Sequence, residues 1–134
     1  MVDTPLPQTT IDVRVRYVEC DPMGFVHHTV YPVWFEMART ELLREQGIVY
    51  AELEKRGDFI VVAKIDVTYR RPAKYDDVLQ VVVIEARVSR AKIIHEYKVL
   101  RDGELICSGT TTLACIDGDG RPRPVGDVIP SMNP

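Results

Sequence analysis

Tyr31-Pro32-Val33-Trp34-Phe35-Glu36-Met37-Ala38-Arg39-Thr40-Glu41-Leu42-Leu43-Arg44-Glu45-Gln46 reads as the long helix of this chain, and its composition decides the fold. At 100° per residue, Val33, Trp34, Phe35, Met37, Ala38, Leu42 and Leu43 cover a wide arc, while Glu36, Arg39, Thr40 and Arg44 share the remainder. Pro32 suits the first turn, where its missing N–H is not needed, and Gly47 suits a C-terminal stop. A helix that is apolar over most of its circumference needs cover on several sides. A curved antiparallel sheet wrapped around it is the economical solution.

The flanks supply that sheet. Upstream, Ile11, Val13, Val15 and Tyr17 alternate with Asp12, Arg14 and Arg16, the period of a strand with one buried face running from Ile11 to Val18. Downstream, Ile48 to Arg56 reads as a short helical turn. A long strand follows, with Phe59, Val61, Ala63, Ile65, Val67 and Tyr69 on one face, and Pro72 ends it. Val78 to Val88 alternates again, Val78, Val82, Ile84, Ala86 and Val88 read as opposing Gln80, Glu85 and Arg87. Ile93, His95, Tyr97 and Val99 form the inward face of the next strand, and Asp102-Gly103 is a two-residue hairpin turn into Leu105–Ile116. The fold class is therefore α+β, with one central helix wrapped by a five-stranded or slightly larger antiparallel sheet. Its 134 residues fit a single domain, with a core of about residues 11–124 between flexible N- and C-terminal tails.

Composition narrows the function. A formal charge of −3 with both signs mixed argues against nucleic acid or an anionic membrane as partner. Cys20, Cys107 and Cys115 form an odd set without a Cys-x-x-Cys pair, which reads as reduced buried thiols rather than a disulfide framework or zinc site. The first ten residues lack a basic stretch followed by an apolar one, and no run reaches membrane-spanning length. A cytoplasmic protein is expected.

The chemistry-bearing stretch is Tyr17-Val18-Glu19-Cys20-Asp21-Pro22-Met23-Gly24-Phe25-Val26-His27-His28, between the first strand and the helix. A carboxylate at such a junction lies near backbone N–H groups without intrahelical partners, where a nucleophile or base can face a polarised carbonyl. The plainer reading of Asp21 is an Asx-turn or cap ahead of Pro22. His27, His28 and Glu36 invite a metal reading, but adjacent histidines are expected to diverge and His95 is the sole other imidazole. Glu36 and Arg39, three apart, read as a surface pair. Trp34, Phe35, Met37 and Phe59 read first as core, and as pocket lining second.

Cys20-Asp21-Pro22-x-Gly24-x-Val26 followed by Tyr31-x-x-Trp34-Phe35-Glu36 resembles the hot-dog-fold thioesterases of the 4-hydroxybenzoyl-CoA thioesterase family and the related bacterial acyl-CoA thioesterases. Arg71-Pro72-Ala73-Lys74-Tyr75-Asp76-Asp77-Val78-Leu79 and Gly109-Thr110-Thr111 fall where that family has comparable features. The resemblance spans about Ile11 to Pro124. It implies a hot-dog fold and hydrolysis of an acyl-CoA to free acid and CoA without metal or organic cofactor. Asp21 would be nucleophile or general base, Gly24 would permit close backbone approach, and the N–H of His28 at the helix entry would hold the oxyanion. Where relatives often carry an Asn, this chain has Val30, so substrate preference does not transfer. The phosphates of CoA would meet Arg70, Arg71 and Lys74, or Ser89, Arg90 and Lys92 at the next turn. A homodimer, pairing into a homotetramer, would complete the helix's cover. Two other readings of the fold stay open, a non-catalytic acyl-CoA sensor and an enoyl-CoA hydratase or dehydratase recruiting Asp21 with His28.

Overall fold

The computed structural model describes residues 5–132; residues 1–4 and 133–134, part of the tails expected to be flexible, lie outside the described residues. The elements are β1 (Gln8–Arg14), a 3-10 turn (Tyr17–Glu19), α1 (Val30–Glu45), α2 (Tyr50–Lys55), β2 (Asp58–Tyr69), β3 (Val78–Val88), β4 (Ile93–Arg101), β5 (Glu104–Asp117), β6 (Pro122–Arg123) and α3 (Val125–Val128). The sheet runs β1-β3-β4-β5-β2 with antiparallel pairs, and β6 adds two residues beside β5. The helix packs on one face of this sheet, the α+β architecture read from its sequence.

The seat of α1 is a stack of two rings. Phe35 lies on Tyr97 of β4 with centroids 4.3 Å apart and planes 14° from parallel. Such offset stacking adds to simple burial. Gly109 on β5 makes room beneath: a Cβ there would stand 2.5 Å from Phe35 Cε2 and 2.8 Å from the Asp66 carbonyl oxygen. Trp34, Phe35, Ala38 and Leu42 are thereby buried with Val13, Val15, Leu79, Val81, Val83 and Val99 in one cluster. A second cluster gathers Leu43, Ile48, Leu53, Ile93, Leu113, Cys115 and the C-terminal Val125, Val128, Ile129 and Met132. The C-terminal segment expected to be a flexible tail is thus docked as far as Met132, because its apolar side chains repeat at the three- and four-residue spacing of a helical turn.

Between the clusters runs a polar seam. Glu85, His95 and Thr111 stand side by side in register on β3, β4 and β5, all buried. Arg39 joins them from α1: its Nη1 donates to the Tyr97 hydroxyl at 3.0 Å, and that hydroxyl pairs with Thr111 Oγ1 at 2.6 Å. Arg39 is not the surface partner of Glu36. It lies four residues after Phe35 and three before Leu42, on the same helix face, and its aliphatic stem follows them inward. Conversely Val33 (53% exposed) and Met37 (46%) face outward, so the buried arc of α1 is narrower than its composition suggests.

Three strand expectations also shift. β1 begins at Gln8 and ends at Arg14, and the 3-10 turn then carries Tyr17 out to solvent instead of leading a strand into Asp21. β3 buries Leu79, Val81, Val83 and Glu85, the face opposite to the one expected; Val81–Ile84 is apolar on both faces and the polar Gln80 and Glu85 fall on opposite faces, so alternation could not choose between them. β2 is an edge strand with a register shift between Val62 and Lys64, and Ala63, Ile65 and Tyr69 are exposed rather than sharing a buried face.

Two outcomes follow for stability. Gly109→Ala forces a Cβ into Phe35 and is expected to lower unfolding free energy by about 1–3 kcal/mol in urea titrations. The His95 imidazole is held down from 6.5 to about 4 by burial and then by the Arg39 charge. Its neutral form is therefore the one the fold accepts, and its contribution is complete above about pH 6.5. As pH falls from there towards 4, the unfolded chain gains a proton that the folded chain refuses, costing on the order of 3 kcal/mol. Burial raises the Glu85 carboxyl, which works in the opposite direction. Comparison of thermal melts of wild type and His95→Leu across pH 4–7 isolates the imidazole, and the variant is expected to lose less stability in acid.

Candidate active site

The chain between the 3-10 turn and α1 folds back on itself. Cys20 bridges to Val26, the Asp21 N–H donates to the Phe25 carbonyl at 2.7 Å, and the Gly24 N–H donates to the Asp21 carbonyl at 2.9 Å. Gly24 closes this turn at a φ of +84°, where L side chains are strained. Nothing lies within 4 Å of a Cβ built on it, so the glycine serves backbone conformation rather than the close approach expected.

Asp21 Oδ1 accepts from the Met23 N–H at 2.9 Å and the Phe25 N–H at 3.2 Å. The amides that hold the carboxylate are those of its own Asx-turn, not those of the helix terminus. The Asx-turn and a reactive role are compatible, since one oxygen is anchored and the other takes no hydrogen bond among the described residues.

His28 precedes the N-cap Thr29, just outside α1. Its neighbours' amides are all engaged: His27 N–H with the Glu19 carbonyl at 2.9 Å, Thr29 N–H with His27 Nδ1 at 3.3 Å, and Val30 N–H with the His27 carbonyl at 3.0 Å. Among the described residues no protein acceptor takes the His28 N–H. The His28 carbonyl accepts from the Tyr69 hydroxyl at 2.7 Å, which orients this stretch of backbone from the opposite wall. The His27 and His28 rings lie side by side, centroids 4.3 Å apart, rather than diverging. Among the described residues no group of three His, Cys, Asp or Glu side chains could hold a metal.

Asp21 and His28 open onto one cleft of about 340 Å³ whose rim includes Arg70 and Arg71. Phe25, Tyr31 and Tyr69 form its aromatic walls, with Tyr31 and Tyr69 edge to face at 5.5 Å. Burial pushes the Tyr31 phenol up to about 12, so it acts as a neutral wall and not as a base. Arg71 shares its charge with Glu104 at 3.5 Å. Lys74 stands beside the cleft, bridged to Phe25, without lining it.

Ser89, Arg90 and Lys92 are not brought to this cleft within one chain. They occupy the β3–β4 turn, across the 11 residues of β3 from the Asp21 end. The Ser89 hydroxyl is used inside that turn, accepting from the Lys92 N–H at 3.2 Å. Trp34 and Phe35 are core, and Met37 is exposed; none lines the cleft. Sequence reasoning missed the walls Phe25, Tyr31 and Tyr69 and the buried Glu19. An acidic residue beside an otherwise exposed turn, with a Trp one helix away, was the available signal for Glu19.

A family model described as the thioesterase-like superfamily matches residues 15–131. The chain belongs to that superfamily. Within it, this thioesterase-like chain is 35% identical over 114 residues to the acyl-CoA thioesterase YbgC of Haemophilus influenzae, spanning 84% of this chain and 83% of that protein. It is 28% identical over 106 residues to the acyl-CoA thioester hydrolase YbgC of Escherichia coli, spanning 78% and 79% of the two chains. Among solved structures, a DHNA-CoA thioesterase from Staphylococcus aureus superposes with a TM-score of 0.88 at 30% identity, covering 92% of this chain and 85% of that one. The hot-dog fold implied by the sequence motifs is the fold of these thioesterases.

If Tyr69 fixes the His28 backbone, Tyr69→Phe is expected to lower thioester hydrolysis by about tenfold with the fold intact, since a small misplacement at a reacting centre is costly. Circular dichroism and a thiol-release assay on the same sample check both halves.

Proposed function

We propose that the protein is an acyl-CoA thioesterase in which Asp21 delivers the attack, as nucleophile or as base to a water, and the His28 N–H receives the charge that develops on the thioester oxygen. The observation that carries this reading is the pairing of an unengaged backbone N–H with a half-anchored carboxylate in one cleft. An N–H already oriented before the reaction stabilises an oxyanion without reorganisation. Carboxylates need no helper base to ionise, and a thiolate needs little protonation to leave, so no further triad is required. As nucleophile, Asp21 would form a mixed anhydride and expel the CoA thiolate, and water would then cleave the anhydride. As base, it would take a proton from water as the water attacks, and CoA would again leave as the thiolate. The names of the similar proteins, acyl-CoA thioesterases and thioester hydrolases, support the substrate class.

Arg70 and Arg71 would meet the CoA phosphates at the mouth, with Lys74 alongside. Ser89, Arg90 and Lys92, far from the cleft within one chain, would reach it from a second subunit. A homodimer along the exposed β2 edge fits this arrangement, since β2 presents Val62 and Ile65 and an open row of backbone groups, and two such dimers would pair into a tetramer. A cytoplasmic setting fits the free thiols of Cys20, Cys107 and Cys115.

Hydrolysis of benzoyl-CoA and hexanoyl-CoA by Asp21→Asn tests the assignment. Loss of about a hundredfold to ten-thousandfold in kcat is expected, the scale of a positioned acid or base. Near-normal turnover of both esters would sink it.

A further inference from the structure

Glu19 is 7% exposed and lies two residues before Asp21, and no step of the proposed reaction uses it. Both of its carboxyl oxygens are occupied. Oε1 accepts from the Arg16 N–H at 2.7 Å, and Oε2 accepts from Trp34 Nε1 of α1 at 3.2 Å, with the Arg16 guanidinium at 3.4 Å. Its main chain is occupied as well, since the Glu19 carbonyl accepts the His27 N–H at 2.9 Å. That backbone bond closes the base of the loop. Asp21 sits on one arm, two residues beyond Glu19; His28 sits on the other, one residue beyond His27. The side chain then ties the closed base to the core, because Trp34 is held edge to face by Tyr31 at 5.1 Å and buried beside Phe35.

We propose that Glu19 is the positioning residue of this site: through Trp34 it fixes the Asp21 carboxylate relative to the His28 N–H. This deepens the reading of Asp21 and His28 as the reacting pair and rests on it. The loop's other anchors reach strands and turns rather than α1: the Val26 N–H on the Ala73 carbonyl at 2.9 Å, the Phe25–Lys74 bridge, the Tyr69 hydroxyl on the His28 carbonyl at 2.7 Å, and the Val26 and Cys20 side chains against the first cluster. With Glu19 detached, the arm that carries Asp21 loses its bearing on α1, whereas the arm that carries His28 runs directly into the first turn of that helix. A carboxyl is required rather than a polar group in general. Gln in its place has one acceptor oxygen, so its NH2 must face a donor, either the Arg16 N–H or the indole N–H.

The test compares kcat and KM for benzoyl-CoA and hexanoyl-CoA in wild type, Glu19→Gln, Trp34→Phe, the double variant and Asp21→Asn, with thermal unfolding to verify folded protein. Each single loop variant is expected to lose about tenfold to a hundredfold in kcat with KM within about threefold, because geometry and not ground-state binding is disturbed. The double variant is expected to lose no more than the worse single, since both break one linkage. Should Glu19→Gln not fold, Trp34→Phe, which keeps an aromatic ring in the buried site, carries the comparison. The proposal is overturned if kcat stays within about twofold of wild type in the folded loop variants, if only KM moves, or if the two losses multiply. An inactive Asp21→Asn beside fully active loop variants overturns the role of Glu19 alone, whereas an active Asp21→Asn overturns the reading of the site and the role of Glu19 with it.

Discussion

The contact of Phe35 with the sheet is the constraint on which the rest of the molecule depends. The ring lies flat on Tyr97 and occupies the space that the missing side chain of Gly109 leaves. Interiors pack close to the density of organic crystals, so a seat of this kind sets helix position to a fraction of an ångström. Once Phe35 is placed, Trp34 and Tyr31 are placed beside it, and the first turn of α1 points at the loop that carries Asp21. The indole then reaches Glu19, and the phenol of Tyr31 meets Tyr69. Packing in the core and geometry in the cleft are thereby one chain of contacts.

The polar seam beneath the helix is the second organising feature. It divides the apolar interior into two clusters, one under the cleft and one under α2 and the C-terminal segment. Buried polar groups of this kind favour a single arrangement over alternatives when they satisfy one another. Arg39 Nη1, the Tyr97 hydroxyl and Thr111 Oγ1 do so, while Arg39 Nε and both His95 nitrogens find no partner among the described residues; the same Tyr97 side chain that supports Phe35 also receives Arg39. The helix is located by an apolar contact and an adjacent hydrogen bond on one residue of β4.

Element order, the single long helix and the antiparallel sheet were legible because strand alternation and helical periodicity are local signals. His95 and Tyr97 were read correctly as inward-facing for the same reason. The inward face of β3 was not legible, since Val81–Ile84 is apolar on both sides and the polar Gln80 and Glu85 fall on opposite faces, so the choice is made by what lies opposite. Arg39 was misread because charge suggested a surface while its spacing from Phe35 and Leu42 dictated the interior. At the site, Asp21, His28, Arg70 and Arg71 line one cleft, but Tyr69 enters from a strand 41 residues away from the backbone it holds. Such pairings exist only once the sheet is folded. Ser89, Arg90 and Lys92 illustrate the converse: a basic turn is visible in sequence, but its distance from the cleft is a property of strand length.

In the proposed reaction, one loop would present a carboxylate and a backbone donor to the two ends of the same carbonyl. The most direct measurement is a crystal structure with an acyl-CoA analogue whose thioester sulfur is replaced by a methylene group. The carbonyl oxygen is predicted within about 3 Å of the His28 nitrogen, with an Asp21 oxygen about 3–3.5 Å from the carbonyl carbon or one bridging water away. A carbonyl seated in another cleft, or turned so that it meets neither group, would contradict it.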